Sequence, residues 1–195
     1  MIWAFVLFLF AAPFWDSKAP EKWSDDELRA LLTDSPWAQM ATVPGSSVAV
    51  PVQVYLATAA PMDRAERERE RREAKGHVPV DDPLVADYRG WLEEHRATQV
   101  VLAVGVTKTD VLADEHEIRR MENECAMRVG KKKFKMTGHF PPSPRDPYLR
   151  LAFPREVQAT DKSVVFDLYL PGVPIPYREV EFKVKDLLVN GKLEM

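Results

Sequence analysis

Two short stretches of this sequence hold residue types that could do chemistry. Asp114-Glu115-His116-Glu117 places three carboxyl groups beside one imidazole, and both kinds of group are zinc ligands in proteins. The stretch lacks the His-x-x-x-His spacing that puts two imidazoles on one face of a helix. Gly45-Ser46-Ser47 offers two hydroxyl groups, but it precedes a predicted strand and is not the strand-to-helix turn of a nucleophilic serine. We predict neither a metal site nor a catalytic serine here.

The rest of the sequence also lacks the motifs of common catalytic sites. It contains no Gly-x-Ser-x-Gly elbow, no glycine-rich phosphate loop and no zinc-binding motif. Catalytic groups can nevertheless come together from distant parts of a chain. We therefore predict no catalytic, metal-binding or cofactor-binding residue and no cofactor. A secreted hydrolase that uses serine or paired carboxylates stays open as an alternative.

Three other residues with reactive or aromatic side chains are explained more simply by packing. Cys125 is the single cysteine, so no internal disulfide can form, and it shares a predicted helical stripe with apolar residues. His95 lies on a predicted helical face of apolar residues, where a packed imidazole is more common than a ligand. Trp37 is either presented by a recognition loop or tucked onto the core by a turn. Because large aromatic side chains usually stabilise through burial, we predict the second.

A lysine-rich stretch, Lys131-Lys132-Lys133-Phe134-Lys135, begins a predicted strand whose lysines face solvent. Such strands commonly protect the edge of a sheet from pairing with another chain. The competing interpretation is a patch that binds small anions or phospholipid head groups. The formal net charge of the chain is −3, which argues against nucleic acid as a partner.

Residues 2–15 form an unbroken apolar run, and the first charged side chain after it is Asp16. As a helix this run would reach roughly 21 Å, short of the ~30 Å hydrocarbon core of a membrane. That length is typical of the apolar region of a secretory signal peptide. No lysine or arginine precedes the run and its cleavage pattern is poor, so a retained anchor or a buried helix are alternatives. We predict that residues 1–20 are a signal peptide or short membrane anchor of an exported protein.

Three packed helices are predicted from capping residues and apolar spacing. Ser24 and Glu27 form a capping-box pattern at the start of a helix that ends near Thr33. Asp82 precedes a proline in the order of a cap and a first helical position. The third helix begins at about residue 109 and continues to about residue 130, with Cys125 on its buried stripe.

A further helix is predicted at residues 63–75, where acidic and basic side chains recur at the spacing of helical ion pairs. Eleven of these thirteen residues are charged. Because the helix has almost no apolar face, we predict that it is exposed and projects into solvent.

Strands are predicted where apolar residues alternate with polar ones or follow each other without interruption. The alternating stretches are residues 48–57, 131–136, 148–153, 164–170 and 180–185. In residues 148–153 the pattern places Leu149, Leu151 and Phe153 inward and Arg150 outward. Residues 99–106 form a nearly continuous apolar run, which predicts a strand covered on both faces.

The last sixteen residues carry the clearest pattern of the sequence. Phe182 and Val184 belong to an alternating strand and are predicted to face the core. Asn190-Gly191 lies between two short apolar arms and tolerates the positive φ angles of a type I′ turn. We therefore predict that residues 188–189 pair with residues 192–193.

The order of the predicted elements indicates the fold class. Helices cluster early in the chain and strands cluster late, which indicates an α+β fold with a mainly antiparallel sheet and about three packed helices. The alternative is a β-sandwich with a helical insertion. The length of 195 residues and the apolar fraction of 46% suit a single domain at residues 21–195 with a real core.

Two blocks of the sequence carry a resemblance to a known family. They are residues 23–38 and residues 180–195, with Phe153-Pro154-Arg155 and Asp161-Lys162 between them. These blocks resemble a family of apparently exported proteins of soil bacteria of the acidobacterial kind, for which no activity is known. The resemblance implies export and assigns no site residue.

Together these observations predict a non-enzymatic exported or envelope-associated domain with a binding or structural role. Its expected partner is an envelope protein or a glycan, and residues 2–15 are its predicted route to a membrane. Besides the secreted hydrolase, the alternative is a membrane-tethered module whose basic patch at residues 131–135 faces lipid.

Overall fold

The structure is a computed structural model that describes residues 13–45, 51–74, 82–105, 112 and 114–195. Several predicted features fall partly outside these residues. They are most of the N-terminal apolar run, the two serines of the Gly-Ser-Ser turn, the first part of the strand predicted at residues 48–57 and the first turn of the helix predicted from residue 109.

The described residues form five α-helices, eleven β-strands and two short 3-10 helices at Pro20–Lys22 and Val184–Leu187. The α-helices are α1 (Phe14–Ser17), α2 (Asp25–Thr33), α3 (Ala60–Glu73), α4 (Pro83–His95) and α5 (Glu115–Glu124). The strands are β1 (Ala38–Ala41), β2 (Val52–Leu56), β3 (Gln99–Gly105), β4 (Ala126–Val129), β5 (Lys132–Lys135), β6 (Gly138–Phe140), β7 (Tyr148–Pro154), β8 (Ser163–Tyr169), β9 (Tyr177–Lys183), β10 (Leu188–Val189) and β11 (Lys192–Leu193).

The strands build two antiparallel sheets and a separate hairpin. Sheet A has the order β1-β2-β3-β7-β6, sheet B has the order β5-β4-β8-β9, and β10 pairs with β11. An isolated bridge between Thr42 and Glu179 joins the β1 edge of sheet A to the β9 edge of sheet B. The predicted α+β class with antiparallel sheets is therefore confirmed.

The two sheets pack face to face, and helices cover the other face of sheet A. Phe166 of sheet B contacts Phe153 of sheet A, with ring centres 5.2 Å apart. On the opposite face, Tyr55 of β2 contacts Glu66 of α3, and Phe140 of β6 contacts Tyr88 of α4. Sheet A is thus covered on both faces, which explains why the central residues of β3 and β7 are all buried.

The C-terminal predictions are confirmed except for the end of the predicted strand at residues 180–185, because β9 ends at Lys183 and Val184 begins a 3-10 helix. Phe182 and Val184 are buried, and β10 and β11 pair in the predicted register. Asn190 and Gly191 have φ angles of 51° and 80°, as a type I′ turn requires. A non-glycine residue rarely adopts a positive φ, and asparagine is among those that tolerate it best.

The starts of two helices were also predicted correctly. In α2 the Ser24 side chain accepts from the Glu27 amide at 3.0 Å, and the Glu27 carboxylate accepts from the Ser24 amide at 2.8 Å. Asp82 caps α4 by accepting from the amide of Leu84 at 3.0 Å. These local hydrogen bonds satisfy amide groups that have no partner within the helix.

The helix predicted from about residue 109 to about residue 130 is wrong at both ends. α5 begins at Glu115, after the capping residue Asp114, and it ends at Glu124, so that β4 begins at Ala126. Cys125, Met127 and Val129 are all buried, so their spacing is the period of two of a strand. The sequence admits both interpretations because Cys125 and Val129 are also four residues apart, which is helical spacing.

The prediction that the charged helix projects into solvent is also wrong. One side of α3 is buried, including Met62, Ala65, Glu66 and Glu68. Ion pairs make this possible, because a carboxylate can be buried when arginine side chains neutralise it and donate hydrogen bonds to it. With α3 included, four helices of nine or more residues pack in the described part of the chain, against the predicted three.

None of the helices in the described part of the chain has both the length and the apolar character that crossing a bilayer requires.

Candidate functional site

The most concentrated polar group in the described interior begins with one row of residues across sheet A. In the strand register Tyr55 of β2 lies opposite Ala103 of β3, and Ala103 lies opposite Arg150 of β7. The small side chain of Ala103 leaves space above the sheet between the two large polar ones. Helices α3 and α4 cover this space, so the row faces the interior.

The prediction that Arg150 faces outward is wrong, because this residue is 3% exposed. The alternation in β7 correctly places Phe153 toward sheet B and Arg150 on the opposite face. That opposite face is not solvent, however, because the helices cover it. A buried arginine is tolerated here because two carboxylates accept hydrogen bonds from it.

Arg150 binds one carboxylate from α3 and one from the loop that precedes β7. Its Nη2 donates to Oε1 of Glu66 at 2.9 Å, and its Nε donates to Oδ2 of Asp146 at 2.7 Å. Its guanidinium carbon also lies 4.3 Å from the ring centre of Tyr88. Tyr55 donates from its hydroxyl to the same Glu66 oxygen at 2.5 Å. Charge-assisted hydrogen bonds of this length are the strong ones in proteins.

The cluster shifts the proton affinities of its members. Burial alone would lower the pKa of Arg150, but the negative charge of Glu66 together with Tyr55, Tyr88 and Asp146 outweighs it and holds the pKa well above its usual range. Burial, and then the negative charge of Glu66, raise the pKa of Tyr55. Burial likewise raises the pKa of Tyr88. Both tyrosine hydroxyls therefore stay protonated at neutral pH.

The loop between β6 and β7 sets the position of Asp146. The amide of Ser143 donates to the carbonyl oxygen of Asp146 at 2.8 Å, and the amide of Asp146 donates to Oγ of Ser143 at 3.1 Å. This pair of hydrogen bonds closes a tight turn that aims the Asp146 carboxylate at Arg150. This proline-rich loop thus positions a carboxylate against the buried arginine.

A narrow crevice opens beside this cluster, between α4 and the loop. The space between its walls has no room for even one water molecule. Its walls are Leu84, Val85, Tyr88, Phe140, Pro141, Ser143, Asp146 and Arg150. Nη1 of Arg150 and Oδ1 of Asp146 are buried without a hydrogen-bond partner among the described residues, and the hydroxyl of Tyr88 interacts with the Arg150 guanidinium.

The hydrogen bonds of the cluster favour a structural or ligand-binding role over a catalytic one. Glu66 already accepts from Tyr55 and Arg150, so it is not placed to take a proton from a substrate. The unpartnered atoms around the crevice are instead hydrogen-bond donors and acceptors that protein groups leave unused. Such atoms are costly when buried, and each of them needs an explanation.

Of three residues considered from the sequence, Trp37 and Cys125 lie in the core and His95 is half-buried. Trp37 is buried as predicted, and its Nε1 donates to the carbonyl oxygen of Glu194 at 2.8 Å. His95 stacks on Trp91 with ring centres 4.8 Å apart. Cys125 is buried, and burial raises the pKa of its thiol to about 12, so it is not a reactive thiolate.

The acidic stretch at the start of α5, residues 114–117, has structural roles. Asp114 caps the helix by accepting from the amide of His116 at 2.8 Å, and Glu117 accepts from the hydroxyl of Tyr169 at 2.7 Å. Across the described residues, no three or more side chains of the metal-binding types are grouped to hold an ion.

The lysine-rich strand is β5, which forms an edge of sheet B as predicted. Lys132, Lys133 and Lys135 are exposed there, while Phe134 is partly buried. This arrangement fits the protection of a sheet edge. The lipid-facing alternative for this stretch stays a prediction.

The residues of the cluster were not predicted from the sequence as a site. One signal was present for Arg150: it lies within the run Leu149 to Phe153, where the consecutive apolar residues Leu151, Ala152 and Phe153 indicate a strand covered on both faces. Glu66 carries no comparable signal, because charged residues surround it on α3. Their meeting depends on contacts between residues that are 84 positions apart.

Comparisons with protein-family models, with curated proteins and with solved structures find no match, so the role of this site is argued from its geometry.

Proposed function

We propose that this protein is a non-enzymatic binding domain of the cell envelope that its apolar N-terminal segment keeps at the membrane. The observation that carries the proposal is the position of α1. This short helix lies directly after most of the apolar run and packs onto the core.

The contacts of α1 are mainly aromatic. Phe14 packs edge-on against Trp23 at 5.8 Å between ring centres, and Trp15 packs edge-on against Trp37 at 5.7 Å. In addition, the side-chain amide of Asn190 donates to the carboxylate of Asp16 at 3.2 Å. Both ends of the described chain therefore hold α1 in place.

These contacts favour a retained segment over a cleaved one. Removal of a signal peptide at Ala19 would also remove Phe14 and Trp15, and Trp23 and Trp37 would lose their aromatic partners. If residues 2–12 stay attached, they lie next to a docked helix, with no long free linker between them and the domain. The domain then stays close to the membrane that the apolar segment enters.

The candidate site supports binding as the role of the domain. Its charged groups neutralise one another, and the polar atoms left over surround a crevice. An envelope domain with such a site is suited to holding a wall or surface component near the membrane. The resemblance of residues 23–38 and 180–195 to exported bacterial proteins also supports this compartment.

Membrane flotation tests the tether. We expect the full chain to float with liposomes, and a variant lacking residues 2–12 to stay at the bottom with an unchanged Tm. A variant lacking residues 2–19 should also stay at the bottom but with a lower Tm, because the core loses two aromatic side chains.

Two controls make this experiment decisive. Trp15→Ala in the full chain should lower the Tm and leave flotation intact, which separates docking from anchoring. Replacing Lys132, Lys133 and Lys135 with glutamate should leave flotation intact, because the apolar segment is the anchor. The proposal is overturned if N-terminal sequencing of the native protein, isolated from cell fractions, shows that its chain begins after Ala19.

A further inference from the structure

The sequence holds two asparagines, Asn123 and Asn190, and only the second is followed by a glycine. Asn190 and Gly191 form the turn between β10 and β11, and both residues are exposed. The hairpin consists of two residue pairs, so its turn opens locally at little cost in free energy. The side chain of Asn190 and the backbone that follows it are therefore both accessible to water.

The amide nitrogen of Gly191 is a nucleophile within reach of the Asn190 side chain. In a type I′ turn the residues that flank the turn, here Val189 and Lys192, close the ladder, so the ladder does not use this nitrogen. Glycine has no side chain to obstruct the approach, and a Cβ placed at Gly191 would meet no atom within 4 Å. The backbone at this position therefore has room to form a cyclic imide.

The hairpin that carries Asn190 also holds α1. Nδ2 of Asn190 donates to the carboxylate of Asp16, at 3.2 Å to Oδ2 and 3.4 Å to Oδ1. A second route runs through Glu194, whose carbonyl oxygen accepts from Trp37, and the ring of Trp37 packs on Trp15. A chemical change in this turn therefore acts on the docking of α1.

We propose that Asn190 is a site of spontaneous deamidation and that this modification loosens α1 from the core. The nitrogen of Gly191 loses its proton and bonds to Cγ of Asn190, the bond from Cγ to Nδ2 breaks, and Nδ2 leaves as ammonia. Water then opens the imide: its hydroxyl goes to the attacked carbon and its proton returns to the nitrogen of Gly191. Attack at Cγ yields aspartate, and attack at the main-chain carbonyl carbon yields isoaspartate.

Neither product can make the hydrogen bond that the Asn190 amide makes. A carboxylate has no donor, so two negative charges would face each other where Asn190 now meets Asp16. Isoaspartate also adds a CH₂ group to the main chain and so changes the two-residue turn that fixes the register of β10 and β11. Both effects disfavour the docked position of α1. The inference needs only this docking and does not depend on whether residues 2–12 enter a membrane.

The first test is incubation of the folded full chain in detergent micelles in H₂¹⁸O, followed by proteolysis and peptide mass spectrometry. We expect the peptide with Asn190 to lose its amide nitrogen and gain ¹⁸O, with aspartate and isoaspartate as separate products. Conversion should be faster at mildly alkaline than at mildly acidic pH, because the attacking nitrogen must lose its proton. Asn123 is the internal control: its NH₂ group donates to the carbonyl oxygen of Arg119 within α5 at 2.8 Å, and it should stay unmodified.

The second test is hydrogen–deuterium exchange at the amides of residues 16–18, which donate to the carbonyl oxygens of Pro13 and Phe14 within α1. We expect exchange there to rise about fivefold in the converted chain and in Asn190→Asp, the factor that corresponds to one lost hydrogen bond. Asn190→Asp should fold, because Asp-Gly is also a favoured type I′ turn.

Two further variants separate the proposed mechanism from a general loss of structure. Adding Asp16→Asn to Asn190→Asp places the donor on α1 and the acceptor on the hairpin, so exchange should return to the wild-type rate. Asn190→Gly keeps a favoured Gly-Gly turn and has no amide to lose, so its exchange should not change during the incubation.

The proposal is overturned if Asn190 stays intact in the folded chain over an incubation that fully converts the same chain unfolded in urea. It is also overturned if the converted chain keeps the wild-type exchange at residues 16–18, or if the charge swap fails to restore that exchange in a folded protein. These measurements do not involve flotation, so a failure of this proposal and a failure of the membrane tether are distinguishable.

Discussion

Arg150 of sheet A and Arg128 of sheet B occupy the same kind of position in two different environments. Each lies within an antiparallel strand and donates from Nε to an aspartate at 2.7 Å, Asp146 for the first and Asp167 for the second. Each also donates from Nη2 to a glutamate, at 2.9 Å and 2.8 Å. The side chain of Arg150 is 4% exposed, whereas that of Arg128 is 39% exposed.

The two clusters share their hydrogen-bond geometry and differ in how far water reaches the charged groups. The hydrogen-bond distances are nearly equal, so they do not distinguish the two clusters. Around Arg128, water can hydrate each charge if its partner is lost, and such exposed pairs contribute little to stability. Around Arg150, helices α3 and α4 exclude water, so a charge that loses its partner stays buried and uncompensated. We therefore expect the two arginines to differ strongly in their effect on stability.

The largest expected effect is that of Arg150→Met, which keeps much of the side-chain volume and removes the charge. Glu66 and Asp146 would stay buried without their cation, so the free energy of unfolding should fall by about 3–5 kcal/mol. Urea denaturation followed by tryptophan fluorescence measures this change. Adding Glu66→Gln and Asp146→Asn to the variant should recover part of the loss, because no unpaired charge then remains. A loss below about 1 kcal/mol for the single variant would contradict the account.

The next effect is that of Tyr55→Phe, which removes the hydrogen bond to Glu66. Arg150 still holds this carboxylate, so the expected loss is that of one hydrogen bond to a charged group, about 1.5–3 kcal/mol. Tyr88→Phe is the matched control, since Tyr88 is buried above the same arginine but makes no hydrogen bond to Glu66. Its denaturation midpoint should fall less than that of Tyr55→Phe, because its hydroxyl interacts with the Arg150 guanidinium, which keeps both of its carboxylates. Equal losses for the two variants would show that the hydroxyl of Tyr55 contributes nothing specific.

The difference between the two arginines also shows where sequence analysis reaches its limit. For Arg150 the period of two predicted a side chain that faces solvent, whereas Arg128 lies in a stretch that was predicted as helix. For Arg128 the outer face of the sheet is open, and for Arg150 it is covered. Which face a helix covers depends on contacts over 84 positions of sequence, and no local pattern encodes them.

Local signals were read correctly where one short segment determines the structure. The capping box at Ser24 and the turn at Asn190 depend on neighbouring residues only, and both were predicted. The end of α5 was missed because the spacing of Cys125 and Val129 satisfies the helical and the strand period alike. The burial of α3 was missed because its ion pairs reach other elements: Glu66 binds Arg150, and Arg72 binds Asp25.

A third carboxylate, Glu68 of α3, is intermediate between the two clusters. It is buried, but Arg71, one of its two arginine partners, is about half exposed. Hydrogen bonds from Arg71 and then Arg72 lower the pKa of Glu68 from 4.5 to about 2. Because this pKa is lower in the folded state, the stabilisation is complete above pH 4.5 and is lost as the pH falls toward 2.

Glu68→Gln should therefore destabilise the protein at neutral pH and should lose its effect in acid. Urea denaturation of both chains at several pH values between 7 and 2.5 measures the difference. Glu68→Asp is a useful control, because it keeps a titrating carboxylate and its acid dependence. A difference between wild type and Glu68→Gln that stays constant below pH 4 would contradict the assigned pKa.

The smallest expected effect is that of Arg128→Met, the counterpart of the first variant. Asp167 and Glu179 stay in contact with water after the change, so the loss should be about 0–1 kcal/mol. Any loss should shrink further between 0.1 M and 1 M NaCl, because the screening length falls from about 10 Å to about 3 Å. The effect of Arg150→Met should not change with salt in the same way, since the ions do not reach a buried cluster. If both variants respond to salt alike, burial is not what distinguishes the two arginines, and the environment of Arg150 does not differ from that of an exposed ion pair.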